Sequence, residues 1–516
     1  MGIQDVIIIS KISLQRGDQL SNKSTSGKNV IINSVIYSCS GILQKCFSFF
    51  LLPLYTAYLT TEDYGINSIA VSFIQTMSFV VAFSLFSAIM RFYVDLKDNP
   101  EKLRRFYGTI SCFVFVSGIF FTVLFTVFRK PVSEYIFSGV DFYPVIVVCL
   151  LALVLNCQQM IFDNIMRSQQ KALKSSICSM ILFLGSVVLN IYFVVYCKYG
   201  ALGTLLASLI GYLIYTAYFW IEMSIKKEIC VCLDFELLKD ALKYSVPIMP
   251  HNLSTTIALF VSKILIGGRV SLGGLGIYSV ASQFGNIADT IQCYVDNAYG
   301  PWLYEKLHAK EKDFKYSIRQ IVNLLIAVIG LFFLGISLFA HDYIVLFVDK
   351  SYSKAWIYVP MIVSVFAIKT AYYFYVEVLF YYKEASKKLF ISTLFSSIVN
   401  IFLSALLIPI LGVVGSIFAD GIAMVLRVLI VIIISKQYED IGIRILDFVR
   451  NFCVVELFIL IGSSLSFFKY QTVFCLKNFI FKICVVLVYV LYIFISNRAQ
   501  VGLFINVIKE KFKGVR

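Results

Sequence analysis

The sequence predicts an all-α integral membrane protein with about fourteen transmembrane helices, arranged as two parallel six-helix repeats followed by a C-terminal helix pair. Three observations carry this prediction. Mean hydropathy is +0.84, and 59% of residues are hydrophobic against 15% charged, more apolar surface than a water-facing fold can hide. Stretches of about 20 mostly apolar residues, the length that crosses a bilayer as a helix, recur about fourteen times. The chain also repeats itself. Gly65, Ile66, Ser68 and Ala70 return 211 residues later as Gly276, Ile277, Ser279 and Ala281, and Gly200, Gly203 and Ala207 return after 212 as Gly412, Gly415 and Ala419. Asn190-Ile191 and Asn400-Ile401 add a weaker third match.

The apolar stretches begin near Ile31, Ile66, Tyr107, Phe142, Ser175 and Leu202, then near Tyr244, Leu275, Ile318, Trp356, Leu389 and Val413, and finally near Phe448 and Phe474. Residues 1–29 precede them as a polar cytoplasmic arm. The first stretch starts too late and runs too long for a cleaved signal peptide, so it is expected to stay in the membrane. Residues 30–223 make an N-lobe of six spans and residues 244–436 a C-lobe of six more. An offset of about 211 residues covers six crossings, and an even number returns the chain to the side it left, so the copies are parallel and related by an axis along the membrane normal. Between them, residues 224–243 place Phe235, Leu238 and Leu242 on one helical face and Lys239 and Lys243 on another, the pattern of an interfacial helix tethering the lobes or of a solvated linker. Residues 448–496 supply the extra pair, and residues 497–516 form a basic cytoplasmic tail with Lys509, Lys511 and Lys513.

A net charge of +15 would suit a nucleic-acid partner, but the basic residues sort by loop parity, which a nucleic-acid patch does not require. About 32 of the 45 Lys and Arg fall on the even side of the chain, including Arg104-Arg105, Lys226-Lys227 and Lys387-Lys388, and about 8 on the odd side. The positive-inside rule then places both termini in the cytoplasm.

Charge inside the spans marks the candidate site. Lys45, Lys263, Lys369, Arg427 and Lys482 lie within apolar stretches, as do Asp163, Asp289, Asp296, Glu377, Asp420 and Glu456. Each would cost on the order of 3 kcal/mol facing lipid, so most must face a cavity or one another. Ser34, Ser38, Gly41, Lys45 and Ser48 share one face of the first span, and Ser282, Asn286, Asp289, Cys293 and Asp296 share one face of the eighth. Such stripes mark a water-filled lumen or close packing through small residues, and Lys45 and Asp289 favour the lumen. Lys482 and Arg427 are expected to snorkel to an interface, and Asp163 to pair with Arg167 one turn on. Lys45 and Lys369 lie too near mid-span for that, and Lys263 serves the second repeat's first span as Lys45 serves the first's. These three are predicted to line an anion site. Arg91, at the end of the second span, would help recruit an anionic headgroup or act as a positive-inside anchor. Asp289, Asp296, Asp420 and Glu377 are candidate counter-ions or carriers of a coupling proton.

Other chemistries lack their residues. Gly267, Gly268, Gly273, Gly274 and Gly276 have neither the preceding strand nor the Lys-Ser/Thr of a phosphate loop and are read as a tight turn. No ATPase signature appears, so a driving force would have to come from an ion gradient, the membrane potential or the substrate. His251, His308 and His341 are far apart and without metal spacing, and the 13 cysteines are mostly scattered through apolar spans. No cofactor, metal or catalytic residue is expected.

Pro53-Leu54-Tyr55, followed by Leu59-Thr60-Thr61-Glu62-Asp63-Tyr64-Gly65-Ile66, resembles the first-span signature of bacterial polysaccharide flippases of the Wzx type. Lys243-Tyr244-Ser245-Val246-Pro247 and Leu275-Gly276-Ile277-Tyr278-Ser279 resemble the same family's later signature, and the similarity runs from about Asn29 to about Lys436. The resemblance implies the multidrug/oligosaccharidyl-lipid/polysaccharide exporter superfamily: a V-shaped pair of six-helix lobes plus an extra helix pair, in the bacterial cell (inner) membrane. It implies alternating-access transfer of undecaprenyl-diphosphate-linked oligosaccharide from the inner to the outer leaflet for O-antigen, capsule or exopolysaccharide synthesis. The partners it implies are that glycan, membrane lipids, a polysaccharide polymerase and a chain-length regulator. Relatives often carry an acidic-basic pair where this chain has Ser262-Lys263, so coupling through that acid lacks its residue. Two alternatives stand beside this one: an ion-coupled drug or metabolite exporter of the same superfamily, and a membrane glycan polymerase or ligase. The second would need a long catalytic outer loop, whereas Arg129–Asp141 and His341–Ala355 are short.

Overall fold

One helix start in this chain is set by capping chemistry that also ties distant helices together. The computed structural model describes residues 27–309, 313–386 and 388–498; the rest of the predicted N-terminal arm and basic tail lies outside them. The first repeat comprises α1 (Gly27–Phe50), α2 (Thr61–Val81), α3 (Leu85–Leu96), α4 (Pro100–Val127), α5 (Val147–Ser168), α6 (Ala172–Asn190) and α7 (Gly200–Ile225). A short α8 (Phe235–Ser245) leads to the second repeat: α9 (Met249–Arg269), α10 (Leu272–Ala309), α11 (Phe314–Phe347), α12 (Ala355–Tyr381), α13 (Leu389–Leu411) and α14 (Val413–Tyr438). The extra pair is α15 (Ile445–Phe468) and α16 (Leu476–Ser496). No strand occurs among the described residues.

Ten of these helices are long and apolar enough to cross a membrane, making this a multi-pass membrane protein. α1, α9, α10 and α15 accompany them at 24, 21, 38 and 24 residues. In α9 and α10 the apolar character is diluted by the Ser, Asn, Lys and Asp side chains that build the site described below.

The motif Thr60-Thr61-Glu62-Asp63 has a physical role. The Thr60 hydroxyl accepts from the Asp63 amide and the Asp63 carboxylate accepts from the Thr60 amide, a reciprocal box that satisfies the free donors at the start of α2. The other oxygen of Asp63 accepts from the Ala201 amide at 2.9 Å, capping α7 as well. Gly200 lies against that carboxylate with φ +54°, and its repeat equivalent Gly412 has φ +61° at the start of α14, a left-handed conformation that favours glycine. The second span is broken between α2 and α3 by positive φ at Phe83 and Ser84. The carbonyl freed at Val81 accepts from Ser117 Oγ at 2.7 Å, as a helix break at membrane depth requires.

Packing repeats as the sequence does. α1 packs on α6, α2 on α5, α4 on α5, α5 on α7 and α6 on α7; in the second copy α9 packs on α13, α10 on α12, α11 on α12, α12 on α14 and α13 on α14. α15 and α16 both pack on α11.

Three expectations need correction. The glycine-rich segment is not one turn: Gly267 and Gly268 belong to α9 and the later glycines to α10, leaving Val270 and Ser271 between them. On α8, the expected apolar face is only partly covered: Leu238 and Ala241 are buried, while Phe235 in the first turn is 75% exposed. Lys482 does not snorkel. It is fully buried, its Nζ 2.6 Å from Asp342 Oδ2 and 3.3 Å from His341 Nδ1, because α11 offers it a carboxylate.

Candidate functional site

At the start of α2 and α10 the two lobes meet backbone to backbone. A Cβ on Gly65 would stand 2.1 Å from the Leu272 carbonyl oxygen, and one on Gly276 would stand 1.9 Å from that of Thr61. One turn further in, the hydroxyls of Ser68 and Ser279 are hydrogen-bonded at 2.7 Å. Both pairs, Gly65/Gly276 and Ser68/Ser279, join a residue to its own repeat equivalent. The two contacts advance together along both helices, so the copies run parallel about an axis between α2 and α10. Tyr352 reinforces this seam, its hydroxyl 2.7 Å from the Thr60 carbonyl oxygen.

Beyond the seam lies a cavity of about 650 Å³, walled by α2 from the first lobe and by α9, α10, α12, α13 and α14 from the second. Its charged lining is Lys263, Lys369, Arg427, Asp289 and Asp420, interspersed with Asn67, Gln75, Gln283, Asn286 and Asn400. Lys369 Nζ is 2.6 Å from Asp289 Oδ1, which also accepts from the Tyr373 hydroxyl at 3.0 Å. Asp420 accepts from the Asn400 amide. Lys263 Nζ reaches across the lobes to donate to Ser72 Oγ at 2.7 Å, and Arg427 Nε donates to Ser396 Oγ at 2.9 Å. Among the described residues neither Lys263 nor Arg427 has a carboxylate within ion-pair distance. Lys263 thus faces the cavity without a paired carboxylate, Arg427 shares it with Asp420 of its own helix, and Lys369 is neutralised in place by Asp289. Outside the lining, the lobes also meet where Asn252 Nδ2 lies 3.3 Å from Ser84 Oγ and 3.5 Å from Ser87 Oγ.

The predicted site residues therefore divide. Lys263, Lys369, Asp289 and Asp420 come together in the cavity. Lys45 lies outside its lining, exposed on α1 with Nζ 2.7 Å from Thr290 Oγ1 of α10. Arg91 is also outside, exposed and paired with Asp95 at 2.6 Å. Asp296 and Glu377 sit on α10 and α12 away from the lining, Glu377 buried and accepting from the Tyr304 hydroxyl. Of the α10 stripe, Ser282, Asn286 and Asp289 line the cavity and Cys293 and Asp296 do not. Arg427, expected to snorkel, points into the cavity instead. Its signal is in the sequence: it lies two helical turns beyond Asp420, on the same face. Asp163 takes its hydrogen bond from the Tyr215 hydroxyl, and the Arg167 guanidinium lies over the Tyr37 ring, 5.8 Å from its centroid.

Two repeated helical units about a common axis, with a charged cavity between them, define a membrane transporter fold. The chain belongs to the polysaccharide biosynthesis protein family, whose profile matches residues 28–305. Its fold is similar to that of the lipid II flippase MurJ in an inward closed conformation, with 15% identity, a TM-score of 0.66, and coverage of 90% of this chain and 99% of that one. It is also similar to an outward-facing multidrug resistance MATE family transporter of the MOP superfamily, with 16% identity and a TM-score of 0.52 over 80% of this chain and 95% of that one. A MOP superfamily transporter from Pyrococcus furiosus matches with 16% identity and a TM-score of 0.51 over 81% of this chain and 98% of that one. No curated protein matches by sequence. The resemblance carried by the Pro53–Ile66 and Lys243–Ser279 segments agrees with the family and the fold.

Proposed function

We propose that this protein is a flippase that moves undecaprenyl-diphosphate-linked oligosaccharide from the cytoplasmic to the outer leaflet of a bacterial cell membrane, for surface polysaccharide synthesis. The observation that carries this is Lys263, which has no paired carboxylate among the described residues, together with Arg427 in a cavity whose three basic residues outnumber its two carboxylates. A diphosphate cannot cross hydrocarbon without shedding its hydration, and fixed cations at mid-depth replace that water. The amide-rich wall of Asn67, Gln75, Gln283, Asn286 and Asn400 offers donors and acceptors for sugar hydroxyls. Both termini lie in the cytoplasm, so the Gly65–Gly276 seam closes the outer side in this conformation. Rocking of the lobes about that seam alternates access. The protein makes and breaks no covalent bond in this cycle.

The prenyl chain stays in lipid and needs a slot beside the cavity. Between α1 and α10 the contacts are made by side chains, Lys45 to Thr290, the Tyr294 hydroxyl to the Ser38 carbonyl at 3.1 Å and the Phe49 ring to that of Phe284 at 5.2 Å, and they can part without breaking a helix. The test is translocation in proteoliposomes of a lectin-readable lipid-linked oligosaccharide. Lys263→Ala and Arg427→Ala should each slow transfer about tenfold or more, the loss of roughly one charge-assisted hydrogen bond. A folded Lys263→Ala/Arg427→Ala protein that transfers at the wild-type rate would refute the phosphate role of this pair.

A further inference from the structure

The segment joining the lobes carries two thiols that face each other. Cys230 Sγ and Cys232 Sγ are 3.0 Å apart, closer than two sulfurs sharing a tetrahedral metal ion, which stand about 3.8 Å apart at zinc–sulfur bond lengths. The spacing is therefore short for a shared ion and one small movement from a disulfide of about 2.05 Å. The surrounding segment is held firmly. A Cβ on Gly108 of α4 would stand 1.7 Å from the Cys230 carbonyl oxygen, so the linker backbone lies directly on the helix. Arg104 Nε donates to the Ile229 carbonyl at 3.2 Å and the Asp234 amide donates to Thr109 Oγ1 at 3.0 Å, fixing the chain on either side of the thiols. The thiols complete the dock: Cys230 Sγ donates to the Arg104 carbonyl at 3.7 Å and Cys232 Sγ to that of Arg105 at 3.6 Å.

We propose that Cys230 and Cys232 are a modification site, a dithiol that forms a reversible disulfide by exchange with low-molecular-weight disulfides and thereby loosens the lobe linker from α4. Burial first, and then the hydrogen bond with its neighbour, pushes the Cys230 thiol up to about 11, so Cys230 is the poorer attacking group and acts second. The Cys232 thiolate attacks one sulfur of the small disulfide, forming a mixed disulfide and expelling one thiolate. Cys230 then gives its proton to water and attacks the Cys232 sulfur, forming the intramolecular bond and expelling the second thiolate. Each small thiolate takes up a proton, so two protein thiols are oxidised as one small disulfide is reduced to two thiols. Both S–H donors to α4 disappear, and the linker keeps only its flanking ties. This proposal does not depend on what the cavity carries.

The full-length protein in detergent, treated with millimolar oxidised glutathione and digested with trypsin, tests it. Peptide 228–239, bounded by Lys227 and Lys239, contains both thiols and no other cysteine. It should lose two hydrogens in mass and regain them with dithiothreitol, and native-state cleavage after Lys227 should quicken severalfold on oxidation. Cys230→Ser should stop at a stable glutathione adduct on Cys232. Wild-type protein that leaves this peptide unmodified, or that accumulates only glutathione adducts, would overturn the proposal; unchanged cleavage in the oxidised form would overturn its effect on the linker.

Discussion

Lys263 of the second lobe holds Ser72 of the first, Nζ to Oγ at 2.7 Å. The cation offered to substrate is therefore also a tether between the lobes, and an arriving phosphate competes with Ser72 for it. Substrate binding and lobe release become one event. Ser72→Ala removes the tether and leaves the cation in place. It should raise hydrogen exchange at the start of α2 and α10 by about tenfold, the effect of one hydrogen bond to a charged group. Unchanged exchange would mean the bond does not hold the seam.

Gly65→Ala and Gly276→Ala place a methyl group 2.1 and 1.9 Å from opposing carbonyl oxygens. Both oxygens belong to backbone, which cannot give way as a flexible side chain would. The seam should stay parted, with translocation lost while the detergent-solubilised protein remains monodisperse. A variant that flips glycolipid at the wild-type rate would show that the seam is not a required state.

Asp63 caps α2 and α7 together. Asp63→Ala should therefore cost more than a single cap, about 2 kcal/mol against about 1 for Thr60→Ala. Thermal unfolding in detergent gives the order: a Tm for Asp63→Ala no lower than that of Thr60→Ala would contradict the double role.

The buried Lys482–Asp342 pair fastens α16 to α11. Lys482→Met leaves the buried Asp342 carboxylate with only the neighbouring His341 ring, 3.5 Å away, and should destabilise by about 3–5 kcal/mol, whereas Lys482→Met/Asp342→Leu removes both charges and should recover most of that loss. The readout is proteolytic release of the α15–α16 pair. Equal sensitivity of single and double variants would argue against the pairing.

Composition and periodicity made the helices legible because lipid imposes the same demand on every span, and the Gly65/Gly276 match made the duplication legible because both copies meet the same steric limit. Partners were harder to read. Periodicity says only which residues share the face of α1 that carries Lys45 and not what stands opposite; here it is Thr290 of α10. Arg427 is hard to read for the converse reason, since the sequence gives the length of its side chain but not which way it bends from α14. Lys369 lines the cavity, and its neutralisation by Asp289 depends on how α10 and α12 are juxtaposed, which no local pattern encodes.

The Ser68–Ser279 bond has the form of an isologous contact, in which a surface meets a copy of itself. Two separate copies of one half, brought together around this axis, would find the same partner waiting. In the fused chain the two serines are free to diverge. A change at either one still alters the seam for both lobes, so the pair behaves as a single heritable unit written in two places.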